Sequence, residues 1–276
     1  LLRLLAVSPR MDVAGRQGVL RLIAEFLPES MLDSAFRLRE GKALPPALAR
    51  YAGGAGEAPL AAVDAMQMQW RAEFMQWLQL QRVGKGICVV GNAGSLGTQE
   101  LGATIDSHAA VIRFNRFARE DALIRSVGQR VDVWVLSPGY RGPVPVGVQW
   151  VVLAGPDLRY TSRNCKLLMP LLKDGAKVLT VPLPVWRKLV LRLQAPPSAG
   201  VLLLQWLFEM NESWKNIAIA GVGGWMGQGT YHLALVDHKA DSRHRWAAEC
   251  ALVEQWSGAG LARLEWSSAG IPTETE

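Results

Sequence analysis

Two features of this sequence could do chemistry by residue type and spacing. The first is Gly91-Asn92-Ala93-Gly94-Ser95-Leu96-Gly97, a glycine-rich turn that follows the apolar run Ile87-Cys88-Val89-Val90. A strand that enters such a turn and then a helix aims backbone N–H groups at an anion, and phosphate fits there. The second is a set of histidines toward the C-terminus, His232, His238 and His244, with Glu249 more than one turn past His244 on the same expected helix. Histidine's ordinary pKa, near ~6.5, suits a general base at neutral pH. Each feature also has a plainer reading. The loop can be a tight turn without a ligand, and His244 an exposed cap at a helix start.

The loop discriminates between ligand classes. Its glycines are spaced G-x-x-G-x-x-G, whereas dinucleotide-binding oxidoreductases use G-x-G-x-x-G. The next expected strand ends in Arg113-Phe114-Asn115, with no Asp or Glu to take a ribose hydroxyl pair. An NAD(P)-dependent oxidoreductase is therefore the weaker alternative. Cys88, Cys165 and Cys250 show no C-x-x-C or Cys/His spacing, so neither a disulfide framework nor a zinc site is indicated.

The elements that must position these residues follow from apolar periodicity. Strands are expected at 86–91, 109–115, 131–136, Trp150–Leu153, Lys177–Val181 and Asn216–Ala220, and helices at Thr98–Ser107, Ser162–Lys173, Gly200–Glu209 and His244–Trp256. Strands alternating with helices imply an α/β fold, a mostly parallel Rossmann-like sheet covered on both faces. Upstream, residues 1–50 read as amphipathic helix, 51–59 as a Gly/Pro linker, and Ala61–Leu80 as a further helix rich in Met and aromatics. That helix is read as core rather than as a cofactor box.

Composition bounds the rest. Thirty basic against 24 acidic residues in 276 give a net charge of +6, and half the residues are hydrophobic. Such a chain builds a real core and is not largely disordered. It has no run of ~20 apolar residues to span a membrane, and the opening Leu1–Val7 run is too short for a signal sequence. The positive balance favours an anionic partner, although it can equally serve solubility. A basic nucleic-acid or membrane-surface module is the non-enzyme alternative, supported by charge alone.

Four segments carry a family resemblance. Residues 88–96, 100–108 and Ala110-Val111-Ile112-Arg113-Phe114-Asn115, closed by Val127-Gly128-Gln129-Arg130-Val131-Asp132, resemble the large sialylmotif of family 29 sialyltransferases. Pro197-Ser198-Ala199-Gly200 and the strand ending at Gly221 resemble the small motif, Tyr231-His232 the third, and His244 with Glu249 the very small motif. The order matches the family, and the resemblance runs from about residue 86 to 256.

That resemblance implies a modified GT-A-like fold and an inverting, metal-independent glycosyltransferase with no cofactor beyond its CMP-sugar donor. Residues 1–85 would be a helical N-terminal extension and 86–276 the CMP-sugar-binding catalytic domain. His244 would be the general base and His232 would meet the departing phosphate, with His238 a nearby competitor for that role. Asn92, Gly94, Ser95, Asn115, Ser198, Gly200 and Gly221 would line the donor. Glu249 would hold the acceptor or steady its loop, or else be a solvated helix residue. Asp106 and His108 look structural, and Arg113 is expected to pair with a carboxylate at the sheet edge.

Two departures qualify the resemblance. Animal members pair a large-motif Cys with a Cys in the small motif, whereas here Cys88 has no partner around Met210-Asn211-Glu212. The third motif is also reduced, with Leu233 and Ala234 where aromatics usually follow. The expectation is a bacterial-type, cytoplasmic enzyme, peripheral at the inner membrane. It would use CMP-sialic acid or CMP-Kdo and a glycan or glycolipid acceptor such as lipopolysaccharide or capsule, with no nucleic-acid partner.

Overall fold

Short, continuously apolar runs fold as strands buried on both faces, as Ile87–Val90, Val133–Leu136, Trp150–Leu153 and Ile217–Ala220 do here. A computed structural model describes residues 59–117, 120–137, 140, 142–145, 147–155, 171–172, 174–222 and 243–264, with side chains from Met66 onward. Helix α1 (Pro59–Gln81) precedes β1 (Ile87–Val90), a 3-10 helix (Gly94–Thr98), α2 (Gly102–Asp106), β2 (Ala110–Phe114), α3 (Asp121–Val127), β3 (Val133–Leu136) and β4 (Trp150–Leu153). After these come β5 (Lys177–Thr180), α4 (Leu183–Leu193), α5 (Ala199–Asn211), β6 (Ile217–Ala220), α6 (Trp246–Gly258) and β7 (Ala262–Arg263).

All the pairings are parallel, in the order β5-β4-β3-β2-β1-β6-β7. The chain moves outward from β1 to β5 and then returns to β6 on the other side of β1. A topological switch point therefore lies between β1 and β6, where α/β sheets bind ligands. The expected helix over Thr98–Ser107 is instead a 3-10 helix, an extended break at Gln99, and α2. Residues 1–58 and most of the Ser162–Lys173 helix lie outside the described residues, and Pro59, the last residue of the expected 51–59 linker, is the first residue of α1.

Strand alternation sorts the core into two faces. Ile87 and Val89 pack into the larger cluster with Leu203 and Leu207 of α5, and partly buried Met210 packs against that cluster. Cys88 and Val90 join Leu96, Ile105, Val111, Val127 and Ala220 in the smaller cluster. Cys88 thus points away from α5, so position 88 is not the one from which a bridge to Met210 could be built. It is a free, fully buried thiol whose pKa burial pushes up to about 12.

Helix α1 closes the sheet's β5 edge. Fully buried Gln67 donates to the Val178 carbonyl at 2.7 Å and accepts from the Thr180 N–H at 2.9 Å, so its amide replaces a missing strand. Arg71 donates to the Thr180 carbonyl at 3.0 Å and to its hydroxyl oxygen at 2.6 Å. Below them, Phe74 packs at 5.1 Å from Trp150 and 5.6 Å from Trp206. Gln67→Leu leaves a buried N–H and a buried carbonyl unpaired. It is expected to lower stability by about 2–3 kcal/mol, measured as a lower urea midpoint at unchanged m-value.

Candidate active site

The loop after β1 and the end of β6 meet where the two strands diverge. Gly91 donates its N–H to the Ala220 carbonyl at 2.7 Å. A Cβ at Gly91 would fall 1.9 Å from the Gly221 carbonyl oxygen, so only glycine lets the backbones approach this closely. Gly221 itself has φ +65°, and a Cβ there would meet Leu96 at 2.5 Å. The 3-10 helix that carries Gly94 and Ser95 lies over this fork. Next along the fork, Val222 stands where a Cβ on Gly200 would touch it at 3.4 Å, which brings the start of α5 to the same edge.

Asn92 and Asn115 stand at the C-terminal ends of β1 and β2. Asn92 donates to the Phe114 carbonyl at 3.0 Å, tying the two strand ends together. Asn115, in the left-handed region at φ 47°, donates to the Ser137 hydroxyl at 2.9 Å and accepts the Ser137 N–H at 2.7 Å. Each amide has one N–H beyond these bonds to offer a ligand. Position 115 lies at the end of β2, where a dinucleotide enzyme keeps an acid, and here it is an amide.

Ser198 is the N-cap of α5, its oxygen accepting from the Val201 N–H at 3.4 Å. Its own N–H donates to Glu249 Oε1 at 2.7 Å. Glu249 lies in the first turn of α6 and is only 2% exposed, which removes the solvated-residue alternative. Burial pushes its carboxyl up to about 7, against the Ser198 hydroxyl and N–H, which favour the charged form. Because 7 lies above the ordinary 4.5, this group lowers stability as pH rises between those values, and the loss is complete above the upper one.

His244 stands two residues before α6, which begins at Trp246 rather than at the expected His244. Its Nδ1 lies 2.8 Å from the Pro196 carbonyl. A carbonyl only accepts, so Nδ1 carries the hydrogen and Nε2 keeps the lone pair a base needs. Arg243 Nε donates to that Nε2 at 3.4 Å, and Trp246 meets the imidazole edge-on at 5.1 Å. Glu249 Oε1 faces Nδ1 at 3.9 Å.

Asn92, Gly94, Ser95, Ser198, Gly200, Gly221, His244 and Glu249 therefore form one contiguous edge, and Asn115 flanks it. His232 and His238 lie outside the described residues. Pro196, Arg243 and Ser137 were not identified from sequence. Pro196 acts through its carbonyl and carries no side-chain signal, while Arg243 could have been found only as the neighbour of His244. Among the described residues, no group of three or more His, Cys, Asp or Glu is placed to hold a metal ion.

Behind the edge lies a brace. Asp106 accepts the backbone N–H groups of Gln129 and Arg130, as expected of a structural residue. Arg113 faces a carboxylate as expected, that of Asp106. It is 1% exposed in central strand β2, donates to the carbonyls of Arg130 at 2.7 Å and Val127 at 2.5 Å, and lies 3.8 Å from Asp106. His108 is buried with Nδ1 on the Thr104 carbonyl at 2.9 Å.

Residues 69–145 match the family model of glycosyltransferase family 29 (sialyltransferase). No curated protein matches the chain by sequence. A mammalian sialyltransferase crystal structure aligns with a TM-score of 0.53 at 16% identity, over 95% of this chain and 88% of that one. A second, a mammalian sialyltransferase in complex with Gal-beta-1-3GalNAc-ortho-nitrophenol, aligns with a TM-score of 0.51 at 16% identity, over 95% of this chain and 89% of that one. At that identity the structural likeness is one of fold. The matched segment contains the β1 loop and its Asn115 closure, so the likeness to glycosyltransferase family 29 is carried in sequence by that stretch and beyond it by the shared fold.

Proposed function

We propose that this protein transfers a sialic acid or Kdo from its CMP-activated donor to a glycan or glycolipid hydroxyl, with inversion and without a metal. The observation that carries this reading is the convergence at the β1/β6 switch point. A glycine loop, the α5 start at Ser198–Gly200 and the His244–Glu249 pair share one strand-end edge. The loop and the α5 N-terminus suit the phosphate and cytidine of the donor. His244 Nε2 takes the proton of the acceptor hydroxyl as its oxygen bonds to the anomeric carbon. The bond from that carbon to the phosphate oxygen breaks, and CMP leaves with the electron pair. Asn92, and His232 or His238, would stabilise the charge that grows on the leaving phosphate.

The acceptor is proposed to lie at a cytoplasmic membrane face, where the net charge of +6 would favour anionic glycolipid. No helix among the described residues is long and apolar enough to cross a membrane. The decisive measurement is CMP release from CMP-Neu5Ac and from CMP-Kdo in the presence of EDTA. Turnover of either donor is expected. Tight NADH binding with no CMP binding would instead support the oxidoreductase alternative.

A further inference from the structure

We propose that Arg243 masks the base of this site and takes an anion of the donor: its guanidinium holds His244 Nε2 until a carboxylate or phosphate oxygen of the CMP-sugar draws it away. The nature of that anion rests on the sialyltransferase reading, whereas the masking rests on geometry alone. Nε2 is the one ring nitrogen of His244 that can accept a proton, because Nδ1 already carries its hydrogen toward the Pro196 carbonyl at 2.8 Å. Arg243 Nε donates to that same Nε2 at 3.4 Å. A guanidinium only donates, so here the lone pair that would deprotonate a hydroxyl is already engaged.

The ring has little freedom to escape its partner. Pro196 fixes the Nδ1 side, and Trp246 packs against the imidazole edge-on at 5.1 Å. The group that can leave is Arg243, a half-buried side chain on the turn before α6. Its bond to a neutral imidazole is long, whereas a carboxylate or phosphate accepts shorter, charge-assisted bonds from a guanidinium, often two at once. The exchange therefore favours the anion. Arg245, the cation on the other side of His244 in the chain, is turned instead to the Leu193 carbonyl at 3.4 Å. Ser198, the N-cap of α5 and part of the proposed donor pocket, stands two residues after Pro196, so donor and guanidinium come to the same corner. The base is then presented only once the donor is in place, which orders donor before acceptor.

The test reads the lone pair directly. Diethyl pyrocarbonate acylates a neutral imidazole at its free nitrogen, and mass spectrometry of the His244 peptide gives the rate at that residue. Without ligand, wild type is expected to react about three- to tenfold more slowly than Arg243→Ala, the worth of one hydrogen bond. An anion should then speed the wild-type reaction toward the variant's rate, with no such gain in Arg243→Ala. Acceleration by free Neu5Ac or Kdo assigns the carboxylate, acceleration by CMP assigns the phosphate, and either supports the proposal. In turnover, Arg243→Ala is expected to raise donor KM about ten- to a hundredfold, and Arg243→Lys, which keeps the charge, to restore part of the loss. Equal His244 reactivity in wild type and in Arg243→Ala of unchanged melting temperature would overturn the masking. Failure of CMP, the sugar acids and both CMP-sugars to speed the wild-type reaction, or a donor KM within about twofold of wild type in Arg243→Ala, would overturn the exchange. Unmasking by an anion in a protein that turns over neither donor would keep the gate and sink the sialyltransferase reading.

Discussion

His244→Ala is expected to lower CMP-sugar turnover by about a hundred- to ten-thousandfold, the range lost with a positioned general base. Affinity for CMP, measured by calorimetry, should change little, because the groups proposed to hold the nucleotide sit on the β1 loop and the α5 start. Fixation of the hydrogen on Nδ1 by Pro196 is what makes the expectation large. The ring is already in the tautomer that leaves Nε2 as an acceptor, where Arg243 Nε donates to it at 3.4 Å. The alanine variant should keep its fold, since the Pro196 carbonyl that loses its partner lies on a half-buried turn outside the two core clusters. Equal turnover by the variant would remove His244 from the mechanism. A parallel collapse of CMP affinity and melting temperature would mean the residue holds the turn rather than the proton.

The second large effect concerns stability. Arg113→Met is expected to cost about 3–5 kcal/mol, the scale for removing one member of a buried charged network. The substitution keeps an apolar stem inside the sheet, yet it deprives the Val127 and Arg130 carbonyls of their donor and Asp106 of its cation. The guanidinium also lies 5.4 Å over the Phe117 ring, a contact methionine replaces only in part. Melting temperature should fall by roughly 10 °C, read by calorimetry or circular dichroism. A drop of only a degree or two would show that the brace between α3 and β2 tolerates the loss. Asp106→Asn should lose less, because its remaining oxygen can still accept one of the two N–H groups now bound to Asp106.

The central strands were legible because each is a short apolar run closed by glycine or a turn residue, as with Ile87–Val90 before Gly91. Elements whose signal depends on what they pack against were not. Helix α3 has seven residues, too few for a periodic pattern, and its place is set by α2 against it. Helix α4 opens on Leu183-Pro184, which reads as a break in sequence but is a tolerated first turn in the fold. Strand β7 is a two-residue pairing with β6 and carries no pattern at all.

The candidate site divides in the same way. Asn92 and Asn115 could be placed because strand ends can be. The burial of Glu249 could not be placed, since a glutamate in the first turn of a helix usually faces water. Only the folded position of Ser198 against it shows otherwise. The face on which Cys88 packs also had to be read from the fold. In a strand, a shift of one changes the face, and the sulfur lies on the side of the sheet opposite α5.

The fork at Gly91 and Gly221 has a consequence for how substrate preference could drift in descendants of this chain. Neither position offers a side chain to vary, and an added carbon at either collides with neighbouring atoms. The aperture between the two strands is therefore set by main chain alone. New preferences for donor or acceptor would have to be written in residues set back from the fork, on the turns that carry Ser95, Ser198 and His244. Those turns can change without re-solving the problem of closing the sheet, so chemistry and foldability are inherited through largely separate positions.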